Sequence, residues 1–326
     1  MAEAQHNATL EIDSHKPVFM FSGQGSQKVG MGKSLFDRPS VVEIMTCASD
    51  IFECDVVGLM SNGPVETLND TRYAQAVLVS LSLALASEVT KEKIEPCALL
   101  GFSLGQVCAA YASGMLSLED TFKFAKIRSE LMAQAAQSNN GKMCALLGAD
   151  EAQAMELCKE HAHDEVLVIA NYNCPGQIVI SGHEAAVLRA QDAWNAQKKK
   201  SAMLATSGAF HSPLMQDAAK ELTAYLETQI FEEPRIPLIS NLDAKEMTAS
   251  TARQQFADHL THPVRFQQSL EMLDAAGAQT FVELGFGGVL VGLVKRINRK
   301  SERIVVEDKE TLEAFFALNK SEGNNA

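Results

Sequence analysis

The stretch CALLGFSLG, from Cys97 to Gly105, joins an apolar run to a G-x-S-x-G motif. The apolar run predicts a buried strand over Cys97–Phe102, and the Ala-containing residues Leu104–Ala112 predict a helix. A sharp strand-to-helix turn of this kind exposes a serine hydroxyl at its tip, and glycines on both sides remove Cβ atoms that would collide there. The motif therefore predicts Ser103 as a nucleophile, although a Gly-Ser turn without chemistry has the same pattern.

Strand and helix patterns alternate outward from this motif. Further strands are predicted over Pro17–Phe21, Arg235–Ser240, Gln279–Leu284 and Arg303–Glu307. Long helices are predicted over Ala74–Val89 and over Leu118–Ala136, the second with Ser117 as its N-cap. This alternation indicates an α/β fold with a mainly parallel sheet.

One segment departs from the alternation. From about Gly141 to Thr206 the patterns follow a β-α-β-β-α-β order, which is typical of a ferredoxin-like unit. The flanking Ser- and Gly-containing turns supply boundaries. The predicted organisation is a disordered segment over 1–16, a large domain over 17–140 and 207–319, an inserted ferredoxin-like domain over 141–206, and a disordered tail over 320–326.

Composition excludes several functional classes. The chain has 326 residues, and 28 Lys plus Arg against 41 Asp plus Glu give a net charge of −13. So acidic a chain is a poor general ligand for nucleic acid or an anionic membrane. The N-terminus lacks the apolar core of a secretion signal, and no run of 18 apolar residues predicts a membrane span. The seven cysteines form no C-x-x-C pair and no zinc spacing, which favours reduced thiols, a cytoplasmic location and no bound metal.

A serine nucleophile needs a base, and His211 is the best candidate. It lies in a loop between an extended segment and a helix whose first turn holds Pro213. Loops of this kind present reactive groups on a rigid scaffold. The alternative role for His211 is a helix cap or core residue, and His262 is the second candidate for the base.

The glycine-containing loop over Ser22–Gln27 matches two nucleotide-binding motifs only in part. A dinucleotide motif would require glycine where Lys28 stands, and a phosphate loop ending at Ser34 would require glycine in place of Gln27. Neither motif is complete, so no nucleotide cofactor is predicted. The loop is better interpreted as backbone close to a reacting centre, with amide donors around Gln24; an ordinary tight turn is the alternative.

Several motifs in the same order make the chain resemble the malonyl-CoA:acyl carrier protein transacylase family from about Pro17 to Val305. They are Gly23–Gln27, the elbow at Ser103, Ile127–Ser129, Asn173–Gln177, Gly208–His211, Pro263–Phe266, Glu283–Gly285 and Leu293–Ile297. The resemblance implies an α/β-hydrolase-like large domain with an inserted ferredoxin-like small domain. It also implies a monomer that needs no cofactor.

The resemblance further implies a Ser–His dyad of Ser103 and His211. In this family the histidine is oriented by a backbone carbonyl, for which the matching position here is His259. The oxyanion is expected to bind the backbone N–H groups of Gln24 and Leu104. The implied reaction transfers malonyl from malonyl-CoA to holo acyl carrier protein for fatty-acid synthesis, through malonyl-Ser103 in a ping-pong mechanism.

Three further residues are implied to contact the substrate. The guanidinium of Arg128 can hold a malonyl carboxylate with two hydrogen bonds, whereas without the resemblance it would be a solvated residue of an amphipathic helix. Phe210 is expected to narrow the pocket beside the malonyl α-carbon, with core packing as its alternative. Asn173, in the fourth of the motifs above, is the third.

The sequence departs from the family pattern beside the nucleophile. Phe102 replaces the usual histidine and Gln106 the usual glutamate. These changes bear on the acyl pocket and on thioester hydrolysis rather than on the dyad. Three alternatives remain: an acyl carrier protein hydrolase with the same dyad, a trans-acting acyltransferase of polyketide synthesis, and a non-catalytic carrier-binding module. A carboxylate clamp at Arg128 argues against the hydrolase, and the joint presence of dyad and Gln24 loop argues against the binding module.

Overall fold

The structure is a computed structural model that describes residues 10–323. Its strands are β1 (Val18–Phe21), β2 (Ala98–Gly101), β3 (Gly141–Leu147), β4 (Leu167–Cys174), β5 (Gln177–His183), β6 (Lys200–Met203), β7 (Leu238–Ile239), β8 (Thr280–Leu284) and β9 (Glu302–Val306). Its helices are α1 (Pro39–Phe52), α2 (Val56–Asn62), α3 (Val65–Asn69), α4 (Thr71–Lys91), α5 (Gly105–Ala112), α6 (Leu118–Ser138), α7 (Glu151–Ala162), α8 (Glu184–Ala196), α9 (Gln216–Leu226), α10 (Ala249–Asp258), α11 (Phe266–Ala275), α12 (Val289–Ile297) and α13 (Lys309–Gly323).

A five-stranded parallel sheet in the order β7-β2-β1-β8-β9 forms the centre of the large domain. Alternate residues of a strand point to opposite faces. In β1, Phe19 and Phe21 enter the core under α1, α4, α5 and α6, whereas Val18 and Met20 enter a second core under α11 and α12. The sheet is thus covered on both faces, and the predicted α/β fold with a parallel sheet is confirmed.

Helix α4 is the central buried helix of this domain. By length and mean hydropathy alone it would pass as a membrane span, which the sequence had not predicted. However, 83% of its apolar window is buried inside the protein, as expected for a core helix.

The inserted segment forms a second sheet, antiparallel and four-stranded, in the order β4-β5-β3-β6. Helices α7 and α8 cover one face, where Trp194 is fully buried. This order and the β-α-β-β-α-β sequence are those of a ferredoxin-like unit, as predicted. The backbone of Val264 joins the insert to the large domain, because it exchanges hydrogen bonds of 2.8 and 2.9 Å with Ala170 and Tyr172.

The structure differs from the sequence predictions in three segments. The strand predicted over Arg235–Ser240 is limited to Leu238–Ile239, since Pro237 has no N–H for a ladder and the Arg235 N–H donates to the Ser113 carbonyl. Of the segment predicted to be disordered over 1–16, residues 10–16 make contacts: Leu10 packs against the second core, and Lys16 pairs with Glu95. Of the predicted disordered tail over 320–326, helix α13 includes residues 320–323. Residues 1–9 and 324–326 lie outside the described residues.

Candidate active site

The turn between β2 and α5 holds Ser103 in an unusual backbone conformation. Its φ of 51° lies in the left-handed region, which costs about 1–3 kcal/mol for a residue with a side chain and persists only where the surroundings fix it. Both flanking glycines are required by close packing. A Cβ on Gly101 would collide with the backbone of Gly105 and Gln106, and one on Gly105 would collide with the Phe21 carbonyl. The sequence motif is therefore a nucleophile elbow in three dimensions.

The hydroxyl of Ser103 points at His211. Ser103 Oγ lies 2.8 Å from His211 Nε2, and His211 Nδ1 lies 2.8 Å from the carbonyl oxygen of His259. Because a carbonyl only accepts, Nδ1 carries the proton and Nε2 is free to take one from the serine. The structure thus brings Ser103, His211 and the His259 carbonyl together, as the sequence analysis expected. The second candidate base, His262, is exposed and contacts the Asp258 carbonyl instead.

The dyad histidine is 4% exposed. Burial, and after it the positive charge of Arg128, lower the pKa of His211 to about 4, against the raising effect of its carbonyl hydrogen bonds. The imidazole is therefore neutral at neutral pH and is available as a base.

This lowered pKa predicts the acid limb of the reaction. Acylation of the free enzyme should be independent of pH from about pH 8 to about pH 5 and should be half lost near pH 4. Single-turnover acylation after a rapid pH jump measures this limb. A limb near pH 6.5, the ordinary pKa of histidine, would contradict the prediction.

The same lowered pKa predicts that stability falls as the pH falls. Between pH 6.5 and about 4 the histidine of the unfolded chain binds a proton, whereas His211 in the folded protein does not. The free energy of unfolding should therefore decrease as the pH falls through that window.

Two residues at the Ser103 cavity have backbone N–H groups that no hydrogen bond within residues 10–323 uses. Gln24 and Leu104 both line the cavity at Ser103, and none of the hydrogen bonds in residues 10–323 uses their N–H groups. The Gln24 loop is held in place by packing of Gly23 against Phe102 and by Ser22, whose Oγ donates to buried Glu283 at 2.8 Å. This is the arrangement expected of an oxyanion hole.

Arg128 is a buried cation beside Ser103. It is 3% exposed, and burial lowers its pKa to about 10. Its Nη1 donates to Gln75 Oε1 at 2.8 Å, and its Nη2 lies 3.3 Å from Ser103 Oγ. Within residues 10–323 no acidic side chain forms an ion pair with it. Because an unpaired buried charge is costly, this environment favours an anionic ligand.

These groups line one cavity of about 250 Å³. The large domain contributes the dyad, Arg128, Met132 and Phe210, and the insert contributes Met143, Ala145, Asn171, Asn173, Gln177 and Val179. Phe210 is 5% exposed, so it both packs in the core and borders the cavity. Asn173 also lines the cavity, and its side-chain oxygen is buried with no hydrogen-bond partner in the part of the chain that the structure describes.

The structure reveals two polar residues that sequence reasoning missed. Asn241, after β7, contacts the backbone of the elbow, and Gln75, in α4, holds Arg128. Both are fully buried. Their signals were present in the sequence: a polar pair directly after a short apolar strand, and a glutamine in the apolar, Ala- and Leu-rich stretch of a helix.

The two departures from the family pattern point inward. The Phe102 ring lies edge-on to Phe266, with centroids 5.1 Å apart, and lines the cavity. Gln106 is fully buried, and its Oε1 accepts a hydrogen bond from the backbone N–H of Asn241 at 2.6 Å. Gln106 therefore supports the active-site backbone.

Comparison with known proteins agrees with this geometry. The chain matches the acyl transferase domain family over residues 18–319. It is 37% identical over 316 residues to the malonyl CoA-acyl carrier protein transacylase of Bacillus subtilis, covering 95% of this chain and 99% of that protein. The crystal structure of a malonyl-CoA:acyl carrier protein transacylase from Xanthomonas oryzae is 35% identical, covers 94% of this chain and 99% of its own, and superposes with a TM-score of 0.90.

A further similar structure is that of a complex. It is a type II polyketide acyl carrier protein in complex with its malonyl-transacylase, and it is 33% identical to this chain with a TM-score of 0.88, covering 91% of this chain and 97% of its own. The chain therefore belongs to the acyl transferase domain family, among the malonyl CoA-acyl carrier protein transacylases.

Proposed function

We propose that this enzyme transfers malonyl from malonyl-CoA to the phosphopantetheine thiol of holo acyl carrier protein, through a malonyl-Ser103 intermediate. One observation carries the choice of acyl group. Within residues 10–323 the Arg128 guanidinium has no acidic partner, and its Nη2 lies 3.3 Å from Ser103 Oγ in the same cavity. An acyl group attached to Ser103 that ends in a carboxylate fits this cation, and an uncharged acyl group leaves it unpaired.

In the first half-reaction His211 acts as general base. Its Nε2 takes the hydroxyl proton while Ser103 Oγ attacks the thioester carbonyl, and the His259 carbonyl stabilises the resulting imidazolium through Nδ1. The backbone N–H groups of Gln24 and Leu104 stabilise the oxyanion, at about 10²–10³ in rate for each donor. The imidazolium then protonates the leaving thiolate of coenzyme A.

The second half-reaction reverses these proton transfers. His211 takes the proton of the phosphopantetheine thiol, the thiolate attacks malonyl-Ser103, and Ser103 leaves as an alkoxide that recovers the proton. The carboxylate stays on Arg128 in both halves. Phe210 limits branching at the α-carbon, and Asn173 contacts the thioester-bearing arm from the opposite wall of the cavity.

Helix α12 suggests how both donor and acceptor approach. Leu290 and Leu293 line the cavity, and Lys295, Arg296 and Arg299 follow on the same helix and its exit. Coenzyme A and a holo carrier share a pantetheine arm, which contains apolar groups and amides and is attached to a phosphate. An arm lying along α12 brings that phosphate toward the cations.

The carrier in this proposal belongs to fatty-acid synthesis, and the enzyme acts as a cytoplasmic monomer. Two observations support a monomer and a cytoplasmic location. Every group that the mechanism uses comes from one chain, and all seven cysteines are free thiols.

Intact-protein mass spectrometry tests the proposal. The enzyme is mixed with malonyl-CoA, acetyl-CoA or methylmalonyl-CoA, and holo carrier of fatty-acid or polyketide type is then added. A malonyl adduct that clears to the fatty-acid carrier is expected. Loss of the adduct to water without a carrier would instead indicate the hydrolase, faster clearance to the polyketide carrier would indicate the trans-acting acyltransferase, and no adduct from any donor would indicate a binding module.

A further inference from the structure

Asn241 lies in the loop after β7 and is fully buried. Its side chain binds both limbs of the elbow: Oδ1 accepts from the N–H of Ser103 at 2.8 Å, and Nδ2 donates to the carbonyl of Gly101 at 2.7 Å. One carboxamide thus bridges the last strand residue and the nucleophile itself. Asn241 does not border the cavity, so its effect on the reaction must pass through the elbow.

The backbone of Asn241 is itself held from two sides. Its N–H donates to Gln106 Oε1 at 2.6 Å, and its carbonyl accepts from the N–H of Arg265 at 2.8 Å. Helix α5 and the segment before α11 therefore fix the position from which the carboxamide reaches the elbow. None of the hydrogen bonds of Asn241 in the described part of the chain is with a charged side chain.

These contacts give the two N–H groups at the tip of the elbow different surroundings. The N–H of Ser103 is bound to Asn241, whereas no hydrogen bond within residues 10–323 uses the N–H of Leu104, a residue that lines the cavity. The left-handed conformation of Ser103 needs such external hydrogen bonds to persist. A small change in the elbow would move both the nucleophile and the Leu104 donor, and a displacement of about 1 Å can cost about 10²-fold in rate.

We propose that Asn241 is a positioning residue that locks Ser103 in its strained conformation and directs the Leu104 N–H into the oxyanion site. This inference rests on the proposed function, because it takes Ser103 as the nucleophile. It assigns Gln106 a supporting role, since Gln106 holds the backbone of Asn241.

The variant Asn241→Asp tests this role. An ionised aspartate still accepts from the Ser103 N–H but cannot donate to the Gly101 carbonyl, whereas a protonated aspartate can do both. At about pH 8 the rate constant for acylation by malonyl-CoA should fall about 10²-fold, with little change in KM. Lowering the pH toward about 5 should restore part of the rate, whereas wild-type acylation stays constant over this range.

Two further variants make the outcome decisive. Asn139→Asp is the matched control, because Asn139 Nδ2 also donates to backbone carbonyls, those of Ala135 and Leu214, away from the elbow. It should acylate at the wild-type rate at both pH values. Gln106→Ala keeps the carboxamide of Asn241 but removes the acceptor that holds the Asn241 backbone N–H. This variant should lose about tenfold in the acylation rate, without recovery at low pH.

The outcomes separate this inference from the proposed function. A folded Asn241→Asp enzyme that acylates like wild type, or that changes only in KM, would overturn the positioning role. If Asn241→Asp does not fold, a wild-type rate in Gln106→Ala would overturn it. Absence of acylation in the wild-type enzyme would instead refute the proposed function.

Discussion

Replacing Ser103 by alanine should abolish the malonyl adduct and lower transfer to the carrier by about 10⁶-fold, the loss typical of removing a nucleophile that acts as a unit with its base. The contact at 2.8 Å between Ser103 Oγ and His211 Nε2 is the basis of this expectation. His211→Ala should cost about as much, and the double variant little more, because each residue is useful only with the other. Intact mass and single-turnover transfer to holo carrier measure all three variants.

Ser80→Ala is the matched control for this series. The Ser80 hydroxyl is also buried, but it donates to the Ala76 carbonyl within α4 and contacts no imidazole. We expect normal adduct formation from it. A Ser103→Ala enzyme that still forms a stoichiometric malonyl adduct would refute the covalent mechanism.

Replacing Arg128 by methionine should reduce acylation by malonyl-CoA but not acylation by donors of uncharged acyl groups. A carboxylate left in the cavity without its cation loses about 3–5 kcal/mol, so acylation by malonyl-CoA should fall about 10²–10⁴-fold. Acylation by acetyl-CoA should stay unchanged or rise. The ligand-free variant should also unfold at a higher denaturant concentration, because an apolar side chain replaces a buried, unpaired charge.

The control for this variant is Arg189→Met in the insert. Arg189 Nη2 pairs with Glu165 at 2.7 Å and donates to the His161 carbonyl at 2.9 Å, outside the cavity. This variant should lose stability and keep its acyl selectivity. An equal loss with malonyl-CoA and acetyl-CoA in Arg128→Met would contradict the clamp and would indicate that Arg128 acts on Ser103, 3.3 Å away.

Local patterns were sufficient to predict most of the fold. The apolar runs at β1, β2 and β8 are buried on both faces, and such strands stand out from their polar flanks. The edge strand β7 was predicted too long because only two of its residues pair with β2, and no local pattern shows how far this pairing extends. The order of strands in either sheet is a tertiary property that no local pattern contains.

The active site was predictable where chemistry requires one residue type. Ser103 and His211 follow from the elbow and from the need for a base. The carbonyl of His259 was found only through the resemblance, because every residue has a carbonyl and its side chain carries no signal. Asn241 was missed for a related reason: it acts on backbone groups, and only the fold brings it to within 2.8 Å of an elbow 138 residues away.

The division of the cavity between the large domain and the insert has an evolutionary consequence. Ser103, His211 and Arg128 belong to the large domain, while β3, β4 and β5 supply the opposite wall. Substitutions in the insert can therefore alter the shape offered to the acyl chain without touching a single contact of the dyad. Such an enzyme can diversify its substrates by drift or recombination within one contiguous stretch of gene, and its reaction is inherited unchanged.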